Sequence, residues 1–129
     1  MKPQPGQILA RPKVGPIAGW HYGVALNENA VFHNTQEGGS HIAELSSFAA
    51  GQPVWAIDAP IRTQAEYVRL VENVRQVQGR PYDAFFFNCE DAASEVKHGI
   101  PHSPTREKWL LAGLSVIGLF LVANVLGEN

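Results

Sequence analysis

The chain has 129 residues, enough for one domain with a core of its own. Ten basic residues against twelve acidic ones leave a net charge of −2 with no basic patch, which argues against a nucleic-acid partner. The single cysteine excludes an intrachain disulfide framework and is compatible with a reducing compartment, and the polar, proline-rich residues 1–7 do not read as a secretory leader.

Gln7-Ile8-Leu9-Ala10 is the first strand expected, after Pro5-Gly6. Residues 12–19 read as a loop, broken by Pro12, Gly15, Pro16 and Gly19. Residues 21–26 and 30–33 read as two strands joined by the hairpin loop Asn27-Glu28-Asn29. Residues 37–40 suggest a turn, residues 46–50 a helical turn before Gly51, and residues 54–57 another strand. A long helix is expected from Thr63. Thr63 and Glu66 have capping-box spacing, and Tyr67, Leu70, Val71, Val74 and Val77 recur at helical period until Gly79 and Pro81 stop it. Residues 82–87 read as extended. A second helix is expected from Cys89 to His98, with Asn88 as N-cap and Gly99 as its stop. Strands first and helices later give an α+β fold, an antiparallel sheet packed on helices.

The composition changes near the end. Residues 110–127 contain no charge, and these 18 residues would reach roughly 27 Å as a helix, close to one hydrocarbon core. The run is apolar all round rather than striped, unlike a helix lying flat on a membrane. Trp109 and Arg106-Glu107-Lys108 flank it as interfacial anchors would. The expected organisation is therefore a domain over 1–104 and a C-terminal hydrophobic helix over 105–129, a membrane anchor that keeps the domain on the cytoplasmic side. A buried helix of the domain is the plainer alternative.

Cys89 opens the second helix, where free backbone N–H groups lower a thiol pKa, so a thiolate is expected. Glu90 and Asp91 beside it oppose that ionisation. A cysteine nucleophile needs a base. His21 and His33 are twelve residues apart across the expected hairpin. A three-residue loop pairs Leu26 with Ala30 and hence Gly23 with His33. His21 then shares a face with His33, with Gly23 leaving room for a ring between them. A two-residue loop would put the two rings on opposite faces. Cys89 is thus assigned as nucleophile, His21 as base and His33 as the orienting third member, with the Cys89 backbone N–H as an oxyanion donor. Tyr22 should point to the other face. His41, His98 and His102 read as loop or surface residues without a role. A zinc site on His21, His33 and Cys89 would need a fourth ligand, and none stands at zinc-motif spacing, so neither metal nor cofactor is expected.

His21-Tyr22-Gly23-Val24, His33 twelve residues on, and Asn88-Cys89-Glu90 together resemble the lecithin retinol acyltransferase-like family, which includes the H-Ras-like suppressor phospholipases and acyltransferases. The likeness runs over about residues 5–99 and includes Pro5-Gly6-Gln7-Ile8-Leu9, with Gln7 where an acidic residue is usual. It implies a circularly permuted papain-like (NlpC-type) fold, the permutation placing the histidines before the cysteine. It also implies a covalent thioester on Cys89, His21 as base, His33 as third member and, as in several members, a hydrophobic C-terminal anchor. Asp91-Ala92 stands where the family commonly has His-Phe, and Asn27-Glu28-Asn29 where it commonly has Gly-Asp. The expected activity is a thiol acyltransferase or phospholipase acting on phospholipid or other acyl esters at a membrane. A papain-like peptidase or amidase is the alternative, and a membrane-tethered interaction domain the non-catalytic one.

Overall fold

The computed structural model describes residues 1–84, 87–108 and 110–111. In chain order the elements are β1 (Ile8–Pro12), β2 (Trp20–Ala25), β3 (Ala30–Thr35), β4 (Gly39–Glu44), α1 (Leu45–Ala49), β5 (Trp55–Ala56), α2 (Gln64–Val77) and α3 (Cys89–His98). The strands form one antiparallel sheet in the order β4-β3-β2-β1-β5. This is the α+β architecture expected.

Side-chain alternation along the strands gives the sheet two apolar faces. Val24 and Phe32 lie on one, with Leu70, Val74 and Val77 of α2 and Ala92, Ala93 and Val96 of α3. Leu9, Ala25 and Val31 lie on the other and meet Phe48 of α1. The β2–β3 hairpin has the three-residue loop expected: the Leu26 N–H donates to Ala30 O at 2.9 Å, and Asn27 Oδ1 accepts from the N–H groups of Asn29 and Ala30, both at 2.8 Å. Gly23 accordingly pairs with His33. The space that Gly23 leaves is taken by Phe48, because a Cβ there would meet Phe48 Cε2 at 2.8 Å and Val31 Cγ1 at 2.7 Å.

Three local expectations change. The turn occupies residues 36–38, and Gly39 already opens β4, an edge strand whose mixed sequence GSHIAE carries little apolar signal. Of the expected extended stretch 82–87, residues 82–84 and 87 form no strand, and residues 85 and 86 lie outside the described residues. Asp83 and Phe87 exchange backbone hydrogen bonds of 2.8 and 2.9 Å, an isolated antiparallel bridge just before Cys89. In α2, Leu70, Val74 and Val77 are buried, whereas Tyr67 is exposed at the rim. Its N-cap forms with a shift: Thr63 Oγ1 accepts from the Glu66 N–H at 3.1 Å, while the Glu66 carboxylate reaches the N–H of Arg62 rather than that of Thr63.

α3 has the bounds expected. Asn88 Oδ1 accepts from the N–H groups of Glu90 and Asp91, and Asp91 Oδ2 accepts from the Asn88 N–H at 3.1 Å, a reciprocal capping box. Gly99 ends the helix at φ +80°, a left-handed conformation that costs glycine little. Asp91 is fully buried, and its Oδ2 also accepts from Arg106 Nη1 at 2.6 Å. Arg106 was expected to flank a membrane anchor; here it neutralises a carboxylate under α3. Ser103 is buried as well. It accepts from Asn88 Nδ2 at 3.0 Å and donates to Glu90 Oε1 at 3.2 Å. Among the described residues no helix is long and apolar enough to cross a membrane. Apart from Leu110 and Leu111, the apolar run lies outside the described residues.

A buried charge is tolerated only when paired, and removing one partner strands the other. Arg106→Ala is therefore expected to lower unfolding stability by about 3 kcal/mol in urea titration, and Asp91→Asn in the same background to recover part of it.

Candidate active site

The thiol and the imidazoles start in different layers. His21, Gly23 and His33 share the sheet face that carries Phe48, whereas α3 packs on the opposite face, against β2 and β3. They can meet because the β2–β3 ladder ends at Gly23↔His33. Beyond it β2 stays paired with β1 as far as Trp20, and β3 with β4 as far as Thr35. The two strands therefore fork. The start of α3 lies in the fork: Asn34 Nδ2 of β3 donates to Phe87 O at 3.3 Å, and the Tyr22 backbone N–H, freed from the ladder, bonds to Cys89. The Tyr22 side chain packs on the α2/α3 face, as expected for a regular strand. Its backbone is what serves the thiol.

Cys89 and His21 line one cavity of about 290 Å³, together with Arg11, Lys13, Asn34, Gln36, Tyr82 and the loop residues Val14, Pro16 and Ile17. A second cleft of about 430 Å³ also reaches Cys89, past Trp20, Tyr22, Glu90 and Arg106; Lys13, Gln36 and Tyr82 line both. His33 does not line the cavity. It stands behind His21, with its Nδ1 2.9 Å from His21 Nε2. Phe48 packs against both rings, at centroid distances of 5.4 and 5.5 Å. The three expected site residues are all buried: Cys89 and His33 are 5% exposed and His21 8%.

His41, assigned no role from the sequence, belongs to this group. It faces His33 across the β3–β4 ladder, Nε2 to Nε2 at 3.1 Å, and its Nδ1 lies 2.9 Å from Gly39 O. The hairpin arithmetic used for His33 would have found it, since a turn at 36–38 pairs Thr35 with Gly39 and hence His33 with His41. Arg11 was missed too. It pairs with His21 across β1–β2, and its guanidinium donates to two backbone carbonyls, Phe48 O at 2.6 Å and Pro12 O at 3.0 Å. Lys13, Gln36 and Tyr82 come from loops, where the sequence has no periodicity to place them. His98 ends α3 and lines a separate apolar cleft, while exposed His102 lies 3.4 Å from Glu107. Among the described residues no cluster of His, Cys, Asp and Glu is arranged to hold a metal ion.

The electrostatics reverse one expectation. Burial pushes the Cys89 thiol above its ordinary value, against the backbone hydrogen bonds from Tyr22 and Glu90 and the charge of Lys13; the Glu90 carboxylate adds to the rise. Asp91, expected to oppose the thiolate as well, is spent on Arg106 and the cap. Burial also pushes His21 down to about 3, helped by Arg11, His33, Lys13 and His41, and His33 down to about 4, helped by His41 and Arg11. The resting site is a neutral thiol beside neutral imidazoles, not a thiolate–imidazolium pair. Such a pair can still act: imidazole takes the thiol proton as sulfur attacks, and the charge appears only in the transition state.

No protein-family model matches the chain, and no curated protein matches it either.

With one cysteine in the chain, alkylation reports on Cys89 alone. Its rate with iodoacetamide is expected to be low at neutral pH and still climbing above pH 9.0, the thiol's ordinary value, because burial raises it. A rate that plateaus already at pH 5 to 6 would instead reveal a stored thiolate.

Proposed function

We propose that this protein is a cysteine-nucleophile acyl hydrolase or acyltransferase acting on lipid esters. The observation that carries the reading is one cavity lined by both Cys89 and His21, with His33 hydrogen-bonded to the back of His21. Cys89 Sγ attacks the ester carbonyl carbon, and its proton passes to the ring nitrogen of His21 that His33 does not occupy. The carbonyl oxygen takes the negative charge beside the start of α3. The capping box engages the N–H groups of Glu90 and Asp91, so the cap itself does not use that of Cys89 as donor. The tetrahedral species collapses, the carbon–oxygen bond to the alcohol breaks, and His21 returns the proton to that oxygen. A thioester remains on Cys89. Water, an amine or a lysolipid hydroxyl then attacks it, gives its proton to His21 and releases the acyl product, and the proton goes back to sulfur.

Support for a lipid ester comes from the cavity wall. Val14, Pro16 and Ile17 offer apolar surface, and the cations of Arg11 and Lys13 suit an anionic head group. The α+β topology, with two histidine strands ahead of a helix that starts on cysteine, is in keeping with a circularly permuted papain-like domain. We extend the reading to residues 110–127 as an anchor that holds the site at the cytoplasmic surface of a membrane, on the strength of their length and lack of charge. A peptidase would use the same three residues, so the choice of substrate decides between the two activities.

Incubation with phosphatidylcholine vesicles carrying labelled acyl chains is expected to trap label on the wild-type chain and none on Cys89→Ala. Peptide cleavage without a trapped acyl group would sink the lipid reading in favour of an amidase, and neither activity would leave an interaction domain. The full chain is expected to stay in the membrane pellet after alkaline carbonate extraction; release into the supernatant would remove the anchor.

A further inference from the structure

We propose that His41 is a positioning residue: it fixes the proton of His21 on Nε2 and so leaves Nδ1 of His21 bare to accept the thiol proton. The consequence for turnover rests on the reading of His21 as base, whereas the placement of the protons rests on geometry alone.

A neutral imidazole carries one N–H, and each nitrogen–nitrogen hydrogen bond holds one proton. The chain of bonds can be followed from its outer end. Gly39 O has no proton to give, so His41 Nδ1 must donate to it, at 2.9 Å. When His41 carries a single N–H, its Nε2 is bare, and the 3.1 Å bond requires the proton on His33 Nε2. His33 is in turn bare at Nδ1, and the 2.9 Å bond requires the proton on His21 Nε2. Nδ1 is left as the lone-pair nitrogen of His21, and it has no hydrogen-bond partner among the described residues. The mirror arrangement, with every proton moved to the other nitrogen, would put N–H on the His21 atom that must accept from sulfur. Between these two arrangements only the Gly39 carbonyl discriminates.

The carbonyl is well held. Gly39 has φ +65°, and a Cβ there would come within 2.9 Å of Arg80 O. The next residue is tied to the end of α2 in both directions: the Ser40 N–H donates to Arg80 O at 2.8 Å, and the Gly79 N–H donates to Ser40 O at 2.7 Å. Neither His33 nor His41 lines the cavity. His41 therefore acts through His33 and His21, not on the substrate.

Long-range proton–nitrogen NMR on the full chain labelled with nitrogen-15 reads the tautomers directly. The wild type should show N–H at Nδ1 of His41 and at Nε2 of His33 and His21; a proton on Nδ1 of His21 would overturn the proposal with no variant needed. His41→Gln keeps an acceptor for His33, and His41→Phe keeps a ring without one. The Phe variant is expected to move the His21 proton, wholly or in part, to Nδ1, and the Gln variant to leave it. With p-nitrophenyl acetate as the acyl probe, His41→Phe should lower kcat by about tenfold or more with KM unchanged, and His41→Gln should restore most of it. Equal losses in both variants at equal melting temperatures would make His41 merely structural. A wild type that follows the tautomer pattern but never acylates would remove Cys89 as nucleophile while leaving the proton placement intact.

Discussion

The β2–β3 ladder stops at Gly23↔His33 while both strands run on, each held by its outer neighbour. The arrangement around the thiol depends on that fork. A helix packed on one face of a sheet cannot normally present its first residue to side chains on the other, because a continuous ladder has no opening. Here the fork admits the start of α3, and it frees the Tyr22 N–H for Cys89 and lets Asn34 bond to Phe87 O. Phe48 keeps the rings upright from the far side. It fits there because residue 23 has no side chain.

Burial governs the chemistry of this group more than the helix does. A helix N-terminus stabilises a nearby anion by roughly 0.3–1 kcal/mol when exposed. Removing a thiolate from water costs more than that unless a cation pairs with it directly. At Cys89 burial wins, and at His21 and His33 it acts in the same sense by disfavouring the imidazolium. The acidic residues that follow Cys89 have divided roles. Asp91 is a structural carboxylate, paired with Arg106 and closing the helix cap, and Glu90 is held by Ser103. The result is a thiol and two imidazoles, those of His21 and His33, that are neutral at rest.

Much of this was legible in the chain of residues itself. Helical period and capping residues located α2 and α3, the length of the Asn27–Asn29 loop set the register that puts His21 and His33 on one face, and the lone cysteine after Asn88 marked the helix start. These features are local: they depend on backbone geometry over a few residues, which side-chain order records. β4 and His41 were missed because an edge strand buries one face incompletely and needs no strong alternation. The state of the thiol, the partner of Asp91, the filling of the space beside Gly23 and the fork between β2 and β3 were decided only by the tertiary structure. Each is set by what lies opposite in space, Arg106 for Asp91, Phe48 for Gly23, and Tyr22 and Lys13 for Cys89, and the cost of burying a charge or a ring cannot be known until those neighbours are in place.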